Sequence, residues 1–345
     1  MAYTQYPDQT FVIDMTQELK KWELFSDMAE RAIGRELRRG KKIGIFVSSL
    51  AYAAGRICND CGEIPRCDNC DVSVQYHTTA SGAMYGLCPI CKHQYDADAE
   101  CQNCHGHDVV LYGVGAQQVQ EYVYLRWWID SVTVGGKYSN SLSKIKKLQW
   151  PLDDAQFILS TSMTVGSELG LEVDLVVVLD ADRGLFSPDY QASRKTWLML
   201  YQLTQQYHRI PVIIQSFKPS HSAIVHACNQ NIQKMKEMEL ERREQFGYPP
   251  FAQMCVLHYK HEIEHRTVST TTKLYQELEY LKQAYEYMNL EIWATPPSIF
   301  KKFGKYRYTI VMKWSGLREF MDIAYSKLKM RSRGFKVDWE PQALI

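Results

Sequence analysis

The chain has 345 residues, of which 46% are apolar and 23% charged, a composition typical of a protein with a hydrophobic core. This length predicts two to three domains at ~100–200 residues each. Forty basic and 39 acidic residues give a net charge of +1, which excludes a uniformly basic nucleic-acid coat protein and an acidic disordered tail. No run of ~18 apolar residues predicts a membrane span, and the first residues carry no secretion signal, so we expect a cytoplasmic protein with no membrane partner.

Short apolar strands alternate with helices along the first 246 residues. The pattern predicts helices at 24–39, 117–128, 192–206 and 220–246, and strands at 43–49, 109–112, 131–134, 156–161, 174–180 and 211–216. Strands that are nearly continuous in Val, Ile and Leu are typical of a parallel sheet covered on both faces. The expected fold class is therefore α/β.

A Gly–Pro cluster at 247–250 marks a domain boundary. Beyond it, the pattern predicts strands at 251–259, 289–294, 306–314 and 334–339, with helices at 266–288 and 316–330. This order predicts a small α+β domain of the split βαβ type.

Eight of the ten cysteines lie between Cys58 and Cys104, in four C-x2-C pairs. A C-x2-C pair turns two thiolates toward one tetrahedral ion, and two pairs close its coordination shell. Eight thiols therefore predict two structural zinc sites, with no open position for water. Cys228 and Cys255 stand alone and are expected to be buried apolar residues.

The length of the segments between these ligands favours one pairing. Joining the first two pairs would leave only five residues to turn between ligands, so a nested arrangement is favoured. The outer zinc site would use Cys58, Cys61, Cys101 and Cys104, and the inner site Cys67, Cys70, Cys88 and Cys91. Four thiolates also suit iron, so an iron–sulfur cluster is the alternative.

The cysteine-rich segment is acidic. Residues 56–107 carry seven acids and three bases, a net charge of −4, and each tetrathiolate zinc centre adds about −2. Such a surface repels phosphate, so this module is expected to dock a protein or another domain rather than DNA.

The basic residues are concentrated near the end of the chain. Residues 299–336 contain eleven Lys or Arg and two acids, a net charge of +9, with aromatic residues interleaved. Cations for phosphates and aromatic faces for bases suit single-stranded or forked DNA. Lys301, Lys302, Lys305 and Arg307 are the predicted DNA-binding residues. The alternative is a solvated helix face with the aromatic residues in a core.

No nucleotide-binding motif is complete. The sequence holds no G-x-x-x-x-G-K-[ST], so the backbone cradle of a phosphate loop is absent. Asp180 and Asp182 follow an apolar strand, as in a Walker B motif, but without a phosphate loop we interpret them as strand-end acids.

Several segments resemble the PriA family of replication-restart helicases, also called primosomal protein N′. They are the cysteine pairs in their order, Leu179-Asp-Ala-Asp-Arg-Gly-Leu-Phe-Ser-Pro-Asp-Tyr, Arg242-Arg-Glu-Gln-Phe-Gly-Tyr-Pro-Pro-Phe and Val337-Asp-Trp-Glu-Pro. The resemblance implies a RecA-like helicase lobe 2, a two-zinc insertion with nested pairing, and the C-terminal domain of that family. The implied boundaries are 1–55 for an entry segment and the start of lobe 2, 56–107 for the insertion, 108–249 for the rest of lobe 2 and 250–345 for a C-terminal DNA-binding domain.

The departures from that family concern its motor. The first helicase lobe, with its Walker motifs, has no counterpart, and Gly166 replaces the lysine of Gly-Thr-Gln-Met-x-x-Lys-Gly. Thr161 is retained and would contact the DNA backbone. Gln206 replaces the first arginine of Gln-Val-Ala-Gly-Arg-Ala-Gly-Arg, and only Arg209 could still reach a γ-phosphate, whose charge such arginines stabilise. No catalytic residue is assigned, and ATP binding by this chain alone is not expected.

Two functions are compatible with these features. One is a truncated PriA-like protein that binds forked or single-stranded DNA and recruits replication and primosome proteins without its own ATPase motor. The other is the C-terminal half of a split ATP-dependent 3′→5′ DNA helicase, completed by a separately encoded first lobe. A structural zinc protein without DNA contact fits the basic tail least well.

Overall fold

The computed structural model describes residues 3–18, 24–97, 100–134, 154–161, 171–187, 189–329 and 334–341. Within these ranges the strands are β1 (Tyr3–Tyr6), β2 (Thr10–Asp14), β3 (Ile43–Val47), β4 (Ala53–Cys58), β5 (Gln75–Thr78), β6 (Met84–Leu87), β7 (Gln94–Asp96), β8 (Val109–Val114), β9 (Ser131–Val134), β10 (Phe157–Thr161), β11 (Leu175–Val178), β12 (Val212–Ser216), β13 (Gln253–His261), β14 (Glu291–Thr295), β15 (Lys301–Lys302), β16 (Lys305–Trp314) and β17 (Lys336–Trp339). The α-helices are α1 (Asp27–Arg38), α2 (Ala116–Trp127), α3 (Ala192–Gln206), α4 (Ser222–Cys228), α5 (Ile232–Gln245), α6 (Glu264–Ala284) and α7 (Leu317–Leu328). None of these helices is long and apolar enough to cross a membrane.

A seven-stranded sheet with the order β1-β2-β12-β11-β3-β10-β9 forms the centre of the first domain. Its strands are parallel except for the hairpin β1–β2. Because side chains alternate along a strand, Ile43 and Ile45 face the core beneath α1 and α2, whereas Phe46 faces the core beneath α3 and α4. The predicted α/β architecture, with helices on both faces of a parallel sheet, is confirmed.

The cysteine-rich module has a sheet of its own, with the order β7-β6-β5-β4-β8 and antiparallel pairing throughout. The strand predicted at 109–112 forms, but it pairs with β4 instead of extending the parallel sheet. The module's sheet therefore takes in residues on both sides of the expected insertion at 56–107. The two connections to the lobe lie side by side, since Gly115 N–H donates to the carbonyl of Tyr52 (3.1 Å). A Cβ at Gly115 would lie 2.0 Å from the carbonyl oxygen of Ala51, so this crossing requires glycine.

The C-terminal residues form a sheet with the order β14-β16-β13-β17, and β15 pairs with β16 at its end. Helices α6 and α7 cover one face, where Leu274, Leu278 and Phe320 are fully buried. This is the split βαβ topology that the sequence predicts. The opposite face is apolar at one end, with Val256 and Val311, and cationic at the other.

Two expectations about local structure were incomplete. The helix predicted at 220–246 is broken into α4 and α5, because Gln230 has a left-handed backbone (φ 55°) and the side chain of Asn231 caps α5 by accepting from Lys234 N–H. The hairpin β1–β2 was not predicted, although β2 contains the apolar run Phe11-Val-Ile.

The Gly–Pro cluster at 247–250 is a packed junction rather than an open linker. The ring of Tyr248 stacks on Tyr190 of the lobe (4.7 Å between centroids), and Arg243 donates to the carbonyl of Pro249 (3.1 Å). From the C-terminal domain, the nearly buried Nζ of Lys313 donates to the carbonyl of Phe246 (2.7 Å) and lies 5.1 Å from the Tyr248 ring. The lobe and the C-terminal domain are thus joined by aromatic and cationic contacts on both sides of the boundary.

Candidate metal centres and nucleic-acid interface

Each C-x2-C pair forms the same tight turn. In every turn the N–H four residues after the first cysteine donates to the carbonyl of that cysteine, at 2.7–3.1 Å. The donating residues are Gly62, Asp71, Lys92 and His105, and all four have a left-handed backbone, with φ between 49° and 75°. The turn directs both thiols of the pair to one side. Four repeats of one local geometry therefore build the sites.

The turns bring the sulfurs together in the nested pairing. Cys58, Cys61, Cys101 and Cys104 form one group and Cys67, Cys70, Cys88 and Cys91 the other, and within each group all sulfurs lie within 4.8 Å of one another. Sγ–Sγ distances are 3.6 Å for Cys58–Cys104, 3.5 Å for Cys61–Cys101 and 3.6 Å for Cys67–Cys91. We call the first group the outer cluster and the second the inner cluster.

The donor sets suit a tetrahedral ion. With Zn–S bonds of about 2.3 Å, ligand sulfurs lie about 3.8 Å apart, close to the observed spacing. In the outer cluster, N–H groups of Cys104 and Asn103 lower the pKa of the Cys101 thiol to about 7, which favours the thiolate that a metal binds. In the inner cluster, burial raises the pKa of Cys88 to about 12, so a cation is needed to hold that thiolate at neutral pH. Four thiolates with no further ligand position would supply structure rather than chemistry.

The four cations predicted to bind DNA lie together on the β15–β16 hairpin, whose turn is formed by Phe303 and Gly304. Lys301 Nζ lies 4.9 Å from the ring centroid of Tyr306, and Lys302 Nζ lies 5.6 Å from that of Phe303. The exposed Lys305 pairs with Glu262 (3.6 Å). Arg307 is half-buried, donates to the carbonyl of Ile299 (3.3 Å), and has its pKa lowered by burial.

The interleaved aromatic residues do not all face solvent. Phe300 packs edge-on against Tyr306 and Tyr308, with centroids 5.5 and 6.4 Å apart, and Trp314 packs on Tyr287. Phe303 at the tip is 60% exposed. Among the aromatic residues from Phe300 to Trp314, Phe303 therefore has the ring most open to solvent.

The tip of this hairpin contacts the inner cluster. Gly304 N–H donates to the carbonyl of Asn69, inside the second C-x2-C pair, at 2.8 Å. The N–H of Phe303 hydrogen-bonds to the Cys70 sulfur and opposes the rise that burial causes in the pKa of that thiol. Sequence reasoning missed this contact, because its donors are main-chain N–H groups, which do not depend on the type of residue.

The residues related to the family's ATPase motifs are not brought to one place. Gln206 ends α3, where its side chain donates to the hydroxyl of Tyr207 (3.3 Å), and the exposed Arg209 lies in the turn that leads to β12. Both precede β12, so they lie at the amino edge of the parallel sheet. Thr161 is buried at the opposite, carboxyl edge, where it ends β10. Gly166 lies outside the described residues.

The two acids after β11 have different roles. Asp182 is fully buried and accepts from the Ser216 hydroxyl (2.7 Å) and from the N–H of Phe217, so it ties β11 to the end of β12. Asp180 lines a cavity of about 370 Å³ with Ser48 and Lys195, and burial raises its pKa. The strand-end interpretation therefore fits Asp182, whereas Asp180 faces open space at the carboxyl edge.

Comparison with known proteins gives one consistent result. No protein-family model matches the chain. Replication restart protein PriA of Bacillus subtilis is 26% identical over 320 residues, which cover 88% of this chain and 38% of that protein. PriA of Synechocystis is 28% identical over 322 residues (88% and 37%), and PriA of Chlamydia muridarum is 26% identical over 353 residues (96% and 45%). This chain thus spans less than half the length of these curated relatives, and over nearly all of its own length it is similar to the C-terminal half of replication restart protein PriA.

Proposed function

We propose that this chain acts in replication restart by binding single-stranded or forked DNA through the β15–β16 hairpin, with two zinc ions as structural cofactors. Similarity to PriA along nearly the whole chain supports the process. The observation that carries the DNA-binding role is the hairpin, where Lys301, Lys302 and Lys305 flank the exposed ring of Phe303. Cations beside an exposed aromatic face are the elements that single-strand binding requires.

The cysteine-rich module would hold this hairpin in place. Its own net charge of −4 makes it a poor partner for phosphate, and its contact with Phe303 and Gly304 leaves the lysine side chains free of the cluster. An acidic module beside a basic hairpin would also keep DNA on the hairpin side. The same acidic surface is available to replication and primosome proteins.

We further propose that the chain hydrolyses no ATP by itself. It holds no phosphate loop, and Gln206 cannot supply the charge of an arginine finger, which is worth ~10³–10⁵ in rate in GTPases. Purified protein with forked DNA should show no ATP turnover above the background. DNA-stimulated hydrolysis would contradict this proposal.

DNA binding is tested by fluorescence anisotropy with a labelled single-stranded oligonucleotide at several salt concentrations. Affinity should fall steeply with salt, and the Lys301→Gln/Lys302→Gln/Lys305→Gln variant should lose about 2 from the log–log salt slope, at ~0.7 per phosphate contact. A matched control of equal charge, Lys234→Gln/Lys236→Gln/Lys273→Gln, removes three exposed lysines from α5 and α6 and should bind like the wild type. Salt-insensitive binding, or equal losses in both variants, would refute the assignment.

The length of the PriA relatives favours a second function, that of one half of a split helicase. The PriA relatives are more than twice as long as the region matched here, so a first helicase lobe could complete the protein in trans. The cavity at the carboxyl edge, with Asp180 and Lys195, would then face that lobe. A first-lobe protein carrying Walker motifs should restore ATP turnover when mixed with this chain. If the mixture shows no ATP turnover, the split-helicase function is refuted and the function without an ATPase motor is supported.

A further inference from the structure

The outer face of the C-terminal sheet, opposite α6 and α7, ends in a cluster of cations. Strand register places Lys260 of β13 directly opposite Arg307 of β16, and His258 directly opposite both Thr309 and Lys336. Since side chains alternate along strands, these five residues share one face. They line a cavity of about 240 Å³.

Charge on this face is poorly balanced. Like charges placed directly opposite on neighbouring strands are destabilising, and the sheet carries this arrangement at Lys260 and Arg307. The carboxylate of Asp338 lies 3.9 Å from His258 Nε2, and that of Glu262 pairs with Lys305 (3.6 Å), two residues before Arg307. Within the described part of the chain, Lys260, Arg307 and Lys336 form no ion pair. An anion in the cavity would relieve this repulsion.

The donors also suit an oxyanion in particular. The guanidinium of Arg307 is half-buried and presents several N–H groups in a fixed plane, of which the contact to Ile299 uses one side. The imidazole of His258 lies on the same face, and Lys260 and Lys336 are exposed at its rim. The buried hydroxyl of Thr309 is already used, since it donates to the carbonyl of Thr295 (2.9 Å). A planar fork with flexible ammonium groups around it is a usual way to bind a phosphate group.

We propose that this cavity, which we call the β13–β17 cationic pocket, binds one phosphate group of single-stranded nucleic acid. The inference rests on the DNA-binding function proposed above and extends it away from the hairpin tip. Arg307 belongs to both surfaces, because Lys305, Arg307 and Thr309 alternate along the same face of β16. A strand held at the tip would therefore continue over the outer face of the C-terminal sheet.

The test uses the full chain and two probes, a single-stranded oligonucleotide and inorganic phosphate. The variant Lys260→Gln/Lys336→Gln removes two exposed cations from the pocket, and Lys234→Gln/Lys273→Gln is the control of equal charge. The pocket variant should bind the oligonucleotide about 10-fold more weakly than the control and lose about 1 from the salt slope. Thermal melting should show that both variants fold like the wild type.

Inorganic phosphate tests the pocket independently of DNA. Followed by NMR, the imidazole of His258 should titrate at higher pH when phosphate is added to the wild type, and this effect should shrink in the pocket variant. If the wild type binds the oligonucleotide and the pocket variant matches the control, the pocket proposal is overturned while DNA binding stands. If phosphate moves His258 but no oligonucleotide binds, the nucleic-acid source is overturned and free phosphate is the ligand.

Discussion

Metal loss from the inner cluster should release the β15–β16 hairpin, whereas metal loss from the outer cluster should not. The perturbations are Cys70→Ser for the inner cluster and Cys104→Ser for the outer cluster, each of which removes one of four thiolates. In the part of the chain that the structure describes, it is the inner cluster that contacts the hairpin, through Phe303 N–H to the Cys70 sulfur and Gly304 N–H to the Asn69 carbonyl (2.8 Å).

The size of the effect follows from the two hydrogen bonds. A hydrogen bond to a charged acceptor contributes about 1.5–3 kcal/mol and a neutral one about 1 kcal/mol. Their joint loss, about 2.5–4 kcal/mol, corresponds to a rise of about 10²- to 10³-fold in the opening equilibrium of the tip, since 1.4 kcal/mol is a factor of ten.

Amide hydrogen exchange measures this opening directly. The amides of Phe303 and Gly304 should exchange about 10²- to 10³-fold faster in the Cys70→Ser variant and at the wild-type rate in the Cys104→Ser variant. A metal-specific control is the protein loaded with ¹¹³Cd, in which the Phe303 amide proton should correlate with one of the two cadmium signals. Equal exchange in both variants would refute the contact as the cause, and so would the absence of any correlation.

Three further outcomes are expected. Metal analysis of the purified protein should give about two zinc ions per chain, and one ion, or iron, would contradict the two-site assignment. Asp182→Ala should lower the free energy of unfolding by about 2–4 kcal/mol, and the thermal midpoint with it, because the buried Ser216 hydroxyl and the part-buried N–H of Phe217 lose their acceptor. Asp180→Ala, at the open cavity, should change both little, and similar losses in the two variants would argue against the separate roles. Burial lowers the pKa of His258 below its ordinary value; Asp338 opposes this shift, and Arg307 and Lys336 add to it. Because the folded state therefore binds this proton less tightly than the unfolded state, the protein loses stability as pH falls below ~6.5. In phosphate-free buffer the wild type should therefore lose more thermal stability between pH 7.5 and 5.5 than His258→Gln does, and parallel losses would exclude this group.

The parts of the fold that sequence predicts are those with a local cause. Leu175-Val-Val-Val178 is buried on both faces, and a run of this kind is stable only inside a covered sheet. The C-x2-C spacing fixes two thiols on one turn whatever surrounds it. The nested clusters could therefore be expected from loop length alone.

The parts that sequence misses depend on distant partners. Val109-Val-Leu-Tyr112 has the composition of a buried parallel strand, but it pairs with β4 and leaves Val110 47% exposed. No local pattern distinguishes the two outcomes, because pairing is decided by where the chain returns. The cationic pocket was missed for the same reason, since Lys260 and Arg307 meet only through the register of β13 and β16.

The packed junction at Tyr248 has a mechanical consequence. The Tyr248 ring stacks on Tyr190, and Lys313 donates to the carbonyl of Phe246, so these contacts restrict rotation between the lobe and the C-terminal domain. A rotation of the lobe would then carry the C-terminal domain with it. Any displacement imposed on the lobe by a partner would be passed to the far end of β16, where we propose that nucleic acid binds.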